Sequence, residues 1–279
     1  MTMQTTSPVA SSVASADGST IAVYRVGSGP VVVLVDPAMS THDGSRKLSA
    51  ALAGRFTAIS YDRRGRGGST DASPDTADPR REIEDIEAVI RAFGGSAVLF
   101  GSSSGAALAL EAATALGDAV RGILLYEPPY IVDDSRAPIA PELPARIARD
   151  IADGRRSAAA RAFFTEAVGV PGWMVGIMRL LPMWRSAKAI APTVRYDFAV
   201  LEGTQRGEQF PAGRWAAMRT RGVVMVGSKS ERFFHTGAQA LASVVPSLRY
   251  EALDGGHHGS PQMSPAGIAE RIIEEFARP

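Results

Sequence analysis

Apolar residues fall along this chain in two alternating rhythms, broken once by a long interruption. Short runs rich in β-branched and aromatic residues occur at Val31–Val35, Phe56–Asp62, Ala97–Ser102, Val120–Glu127, Gly222–Gly227 and Leu248–Leu253. The first is an uninterrupted VVVLV, the pattern of a strand buried on both faces. Between the runs lie stretches with helical spacing. They are Arg46–Ala53 closed by Gly54, Pro79–Phe93 stopped by Gly94-Gly95, Gly105–Leu116, His235–Val245 and Pro265–Ala277, with glycine at the ends where helices stop. Near the N-terminus, Val9–Ala16 and Thr20–Val26 flank Asp17-Gly18, a hairpin signal. The Ser/Thr-rich first dozen residues are expected to fray.

Strands alternating with helices predict an α/β fold, a mostly parallel sheet of about eight strands with helices on both faces. The alternation stops between Asp133 and about Gly213. There PARIARDIADG, RRSAAARAFFTEAVG and PGWMVGIMRLLPMW read as helices separated by Pro and Gly. The predicted organisation is a core domain in two parts, residues 1–132 and 214–279, with a helical lid over 133–213. An insertion there sits above the carboxyl ends of the strands, where such sheets bind ligands. No internal repeat is present.

Composition narrows the function classes. A chain of 279 residues that is 45% hydrophobic is long enough for one large core with a lid. Its net charge of +1, with basic residues spread throughout, gives no footprint for nucleic acid. It has no cysteine, which excludes disulfides and thiolate metal sites, and its four histidines are too few for a histidine-rich metal centre. The N-terminus lacks Lys, Arg and an apolar core segment, so it does not read as a signal peptide, and no apolar run is long enough for a membrane span. The expectation is a soluble, cytoplasmic protein, a monomer or homodimer. It would act on a small molecule, without metal or cofactor and without a nucleic-acid or membrane partner.

The chemistry concentrates at Gly101-Ser-Ser-Ser-Gly105, where a predicted strand passes straight into a predicted helix. A G-x-S-x-G serine at such a junction is held on a sharp turn with its hydroxyl exposed, which makes Ser103 the candidate nucleophile. A hydroxyl needs a neighbouring base. His258 in LDGGHHGSP, between the last strand and the last helix, is the preferred candidate, with His257 the alternative. The loop after the strand Gly222–Gly227 contains Ser228, Lys229 and Ser230 but no aspartate, and Glu231 comes late in it. Glu127, at the end of the strand after the nucleophile helix, is the preferred acid; Glu231 and an acid-free dyad are the alternatives. A carboxylate in that buried position needs a partner, and an ion pair with Arg63 or Arg64 would be a purely structural account of Glu127. The backbone amide of Ser104 is one expected oxyanion donor. The second comes from Asp36-Pro37-Ala38-Met39; proline has no N–H, so Ala38 is preferred and Met39 is a further candidate. Ser102, Met39, Trp173, Met183 and Trp184 are candidate substrate-pocket residues, with packing inside the lid the competing account of its Met and Trp residues. The glycines of GRGGS lack the Lys-Ser/Thr of a phosphate loop.

Together Val31–Ala38, YDRRGRGGS, GSSSG and LDGGHH resemble the α/β-hydrolase fold superfamily over nearly the whole chain. LYEPP and Pro182-Met183-Trp184 are similar to its actinobacterial-type members. The resemblance implies Ser103 as nucleophile, His258 as base, and a structural role for the Asp62-Arg63-Arg64-Gly65 turn. Three positions depart from the pattern: Asp36-Pro37 replaces the usual His-Gly, Ser102 stands where histidine is frequent, and the aspartate after the lid is missing. The haloalkane dehalogenase branch resembles this chain in placing its acid at the Glu127 strand end. Its nucleophile is aspartate, so its chemistry does not carry over to Ser103. The expected activity is hydrolysis of an ester or lactone of a small to medium apolar substrate through an acyl-enzyme. C–C hydrolysis, acyl transfer, perhydrolysis, natural-product tailoring and silent ligand binding are the alternatives.

Overall fold

The structure, a computed structural model, describes residues 8–74 and 76–277. Eight strands form one sheet: β1 (Val9–Ala14), β2 (Thr20–Val26), β3 (Val31–Val35), β4 (Thr57–Tyr61), β5 (Ala97–Ser102), β6 (Val120–Tyr126), β7 (Gly222–Gly227) and β8 (Leu248–Leu253). Their spatial order is β1-β2-β4-β3-β5-β6-β7-β8. The hairpin β1–β2 runs antiparallel and β2 meets β4 antiparallel; every pairing from β4 to β8 is parallel. Fraying was expected over the first dozen residues, but β1 is already paired from Val9. Residues 1–7 lie outside the described residues.

The parallel strands bury both faces, and β3 shows how. Val31, Val33 and Val35 enter a core with α2 (Pro79–Ala92), α3 (Ser104–Leu116) and α9 (Arg232–Val244). Val32 and Leu34 enter the opposite core with α1 (Arg46–Leu52) and α10 (Ala266–Phe276). Alternate side chains of a strand point to opposite faces, so a run apolar at every position fits only a sheet covered twice. The predicted helix at His235 begins three residues earlier, at Arg232, because Phe233 and Phe234 are buried within its first turn.

Between β6 and β7 the chain forms α4 (Leu143–Ala152), α5 (Arg156–Ala162), α6 (Gly172–Met178), α7 (Met183–Ile190) and α8 (Val194–Val200), with no strand. These helices have a core of their own, built from Leu143, Ile147, Phe163, Val175, Trp184 and Val194 among others.

Three arginines of the turn after β4 are buried among carboxylates. Arg63 makes a two-pronged pair with Glu82 of α2 at 2.7 Å on both prongs and reaches Asp197 of α8 at 2.6 Å. Arg64 binds Asp85 of α2 at 2.7 and 2.8 Å and Asp17 of the β1–β2 turn at 2.9 Å. Neither touches Glu127; together they tie the N-terminal hairpin, α2 and α8 to one loop. Losing one partner of such a buried pair costs about 3–5 kcal/mol, because the other charge is left unpaired.

Candidate active site

Strands β3 to β8 all point the same way, so the loops after β3, β5, β6, β7 and β8 share one edge of the sheet. Ser103 stands between β5 and α3 at φ 53° and ψ −126°. Its own N–H donates to Tyr126 O at 2.9 Å. The turn around it is possible only because of two glycines. A Cβ on Gly101 would lie 2.3 Å from Gly105 O, and one on Gly105 would lie 2.3 Å from Val35 O. At both positions the obstacle is backbone and cannot swing away.

Glu127 follows β6 directly and is fully buried. Its backbone is also at positive φ, 50°, and its N–H donates to Met225 O at 2.9 Å. The carboxylate faces two ways. Oε1 accepts the N–H of Gly227 at 2.7 Å and the hydroxyl of Ser230 at 2.5 Å. Oε2 lies 2.7 Å from Nδ1 of His258. The loop after β7 therefore contributes hydrogen-bond donors to a carboxylate carried by β6. Glu231, the alternative acid, is exposed and precedes α9.

The two adjacent histidines have separate environments. His258 is 43% exposed at its side chain and stacks on Phe234, with ring centroids 4.6 Å apart and planes 19° apart. Glu127 and Phe234 together fix its ring plane. An Nδ1 bound to a carboxylate carries the proton, which leaves Nε2 free to accept one. His257 is used locally: its Nδ1 accepts the N–H of Gly259 at 3.1 Å, and its carbonyl accepts the Tyr126 hydroxyl at 2.9 Å.

Ser104 is the first residue of α3, and a helix leaves its first amides without internal partners. Its N–H is thus free at the carboxyl edge, beside Ser103. The Ala38 amide, expected as the second donor, is already spent: it donates to Ser104 Oγ at 2.8 Å. Met39 takes φ 60°, and among the described residues its N–H has no hydrogen-bond partner. That amide, rather than Ala38's, is the one available in this loop. Asp36, at the head of the loop, is buried, and among the described residues its Oδ2 has no hydrogen-bond partner. Burial pushes its pKa up to about 7 against the opposing effects of Ser45, Arg66 and Arg63.

The candidate pocket residues separate. Ser102 is buried in β5, and Met39 packs against the core of the inserted helices. Trp184 lies inside that core, its indole N–H donating to Ser157 at 3.0 Å. Trp173 is 69% and Met183 50% exposed; both face solvent, because α6 and α7 bury Val175 and Trp184 instead. Sequence reasoning did not single out Ser230, Phe234 or Asp197 for this site. Only Ser230 carried a signal, as a hydroxyl where an acid was sought. Among the described residues no group of three or more His, Asp or Glu could hold a metal ion, and no helix is long and apolar enough to cross a membrane.

The sequence model of the alpha/beta hydrolase family matches residues 27–271. A solved alpha/beta hydrolase from Sphaerobacter thermophilus is 43% identical, superposes with a TM-score of 0.85, and is matched over 95% of this chain and all of its own. A 2-(acetamidomethylene)succinate hydrolase from Mesorhizobium japonicum is 26% identical over 92% of this chain and 91% of its own length. A thermophilic esterase from Thermogutta terrifontis shares the fold at 20% identity, with a TM-score of 0.68 over 96% of this chain and 98% of its own.

Proposed function

This chain belongs to the alpha/beta hydrolase family, and we propose that within it the protein is a serine hydrolase cleaving an ester or lactone of a small to medium apolar substrate. The observation that carries this reading is the 2.7 Å contact of His258 Nδ1 with the buried Glu127, on the same sheet edge as Ser103 in its strained turn. Ser103 Oγ attacks the carbonyl carbon as His258 Nε2 takes its proton. Glu127 holds the imidazole in the required tautomer and offsets the imidazolium charge. The N–H groups of Ser104 and Met39 receive the oxyanion. His258 then returns the proton to the leaving alkoxide and the acyl-enzyme forms. Water attacks this ester in turn, with His258 again as base, and releases the carboxylic acid. The inserted helices act as a lid over this edge.

A second reading takes a substrate like the one named for the Mesorhizobium relative, and it rests on that match over most of both chains. A succinate-type dianion needs free cations. The buried arginines beside the oxyanion loop are already occupied by Glu82, Asp85 and Asp197, which favours the apolar ester.

Ser103→Ala tests the proposal. It is expected to abolish turnover of p-nitrophenyl esters and labelling by a fluorophosphonate probe, with melting unchanged. A mutant that still turns over and labels overturns the mechanism.

A further inference from the structure

One carboxylate from the inserted segment anchors the whole loop after β3. Asp197 on α8 is buried and accepts three donors: Arg63 Nη1 at 2.6 Å and Ser104 Oγ at 2.8 Å on Oδ1, and Arg66 Nη2 at 2.7 Å on Oδ2. Each donor passes the constraint on. Arg63 Nη1 also reaches the carbonyl of Asp36 at 3.3 Å. Arg66 Nη1 donates to the carbonyl of Pro37 at 2.8 Å and lies 3.4 Å from that of Ser40. Ser104 Oγ accepts the N–H of Ala38 at 2.8 Å. The Pro37 carbonyl and the Ala38 N–H are opposite ends of one rigid peptide plane, so this plane is pinned at both ends by groups that share one carboxylate. The next peptide unit carries the Met39 N–H.

Burial pushes the Asp197 carboxyl up, but the Arg63 and Arg66 guanidiniums and the Ser104 hydroxyl outweigh it and hold the group below its ordinary value. The anchor is therefore ionised at neutral pH. Pairing of the two arginines would not by itself need Ser104. Its hydroxyl links the residue whose N–H is one oxyanion donor to the loop that carries the other. Met39 is left in a backbone region that non-glycine residues seldom occupy, and such a conformation persists only where its surroundings over-determine it.

We propose that Asp197 is a positioning residue that, through Arg63, Arg66 and Ser104, holds the oxyanion loop in its working shape, so that the Met39 amide stays aimed at the reacting carbonyl while α8 is seated. The inserted helices are then coupled to the electrostatics of the reaction as well as covering the site. This inference rests on the serine-hydrolase reading for its catalytic consequence, but the pinning itself can be measured without turnover.

Ser104→Ala is the cleanest test, since it keeps the backbone N–H and both ion pairs of Asp197 and removes only the bridging hydroxyl. Loss of aim at one oxyanion donor is expected to lower kcat per titrated active site by about 10- to 100-fold, short of the roughly 10²–10³ for deleting a donor outright, with KM nearly unchanged. Hydrogen exchange of the amides at 36–40 is expected to speed up in parallel. Asp197→Asn is expected to do the same with a larger loss of melting temperature, and Ser104→Thr, which keeps the hydroxyl, to recover part of kcat. Wild-type kcat per site and wild-type exchange in Ser104→Ala overturn the proposal, as does a fall in melting temperature alone. If the wild-type protein fails to react with a fluorophosphonate while exchange still rises in Ser104→Ala, the hydrolase reading falls and the pinned loop stands.

Discussion

Replacing Glu127 with glutamine exchanges one carboxylate oxygen for an NH2 group and separates catalysis from folding. In the native site Oε1 accepts from Gly227 N at 2.7 Å and Ser230 Oγ at 2.5 Å, while Oε2 faces His258 Nδ1 at 2.7 Å. A glutamine can keep its carbonyl oxygen on the Gly227 and Ser230 side, because that side offers only donors. Its NH2 must then point at His258. Two donors cannot face each other, so the imidazole adopts the other tautomer, with Nδ1 accepting and Nε2 protonated. That ring can no longer take a proton from Ser103. In serine proteases the equivalent carboxylate-to-amide change lowers kcat by about 10⁴. Here kcat is expected to fall by roughly 10³–10⁴, or about 4–5 kcal/mol of barrier. Stability should change little, since the buried donors remain satisfied. Glu127→Ala differs: it leaves the buried Gly227 N–H unpaired, which costs about 1–3 kcal/mol. The assay is p-nitrophenyl ester hydrolysis normalised to titrated sites, with thermal melts as the folding control. A folded Glu127→Gln protein within tenfold of wild type would refute the assignment of Glu127 as the group that orients His258.

Other outcomes follow from the same geometry. His258→Ala is expected to lose ester hydrolysis as completely as Glu127→Gln does, whereas His257→Ala removes one acceptor for the Gly259 amide and is expected to cost about 1 kcal/mol of stability with kcat retained; equal losses of kcat in both, in the same ester assay, would overturn that division. Asp36 gives a pH dependence of stability. Burial raises its pKa from the ordinary 3.8 to about 7, so the folded state holds a proton that the unfolded chain has released. The group is neutral in both states below about pH 4. Stability is then lost as pH rises from about 4 to 7, by at most about 4 kcal/mol at 1.4 kcal/mol per pKa unit. Asp36→Asn is expected to remove this slope, melting well above wild type at pH 8 and close to it at pH 4; parallel melting curves across that range would sink the argument.

What the chain disclosed about itself followed the range of the forces involved. VVVLV and GSSSG were legible because burial on both strand faces and a crowded turn are local demands on consecutive residues. Glu127 could be nominated from its strand end, but its relation to His258 depends on two loops separated by 131 residues. The choice between His257 and His258 turned on which ring meets Glu127 and Phe234, and neighbouring residues of a loop carry no local mark of that. The arginines of DRRGR stood out in the sequence while their partners did not. Asp197 lies 134 residues from Arg63 and 93 from Ser104, and nothing local distinguishes it from the other carboxylates. Large apolar residues at helical spacing suggest a wall, yet Trp173 and Met183 are exposed, because the short helices α6 and α7 each have one buried side and place Val175 and Trp184 there.

Backbone strain concentrates at the same place. All three non-glycine residues at positive φ among the described residues are Met39, Ser103 and Glu127. They follow β3, β5 and β6, which are adjacent in the sheet, and they are the proposed oxyanion donor, nucleophile and acid. A residue held in such a conformation costs about 1–3 kcal/mol. Three of them together cost roughly as much as the lower range of a domain's net stability of about 5–15 kcal/mol. Sequences under pressure for stability alone would place glycine at such positions, as this chain does at Gly65 and Gly67. At these three, glycine would relieve the strain and remove the side chain proposed to do the chemistry or, at Met39, loosen the loop. The strain is offset by rigid surroundings: Gly101 and Gly105 under Ser103, Gly227 and Ser230 on Glu127, and the Asp197 cluster behind Met39. Preorganised donors and bases need no rearrangement when charge develops, and here the same contacts that hold the strain also set the geometry.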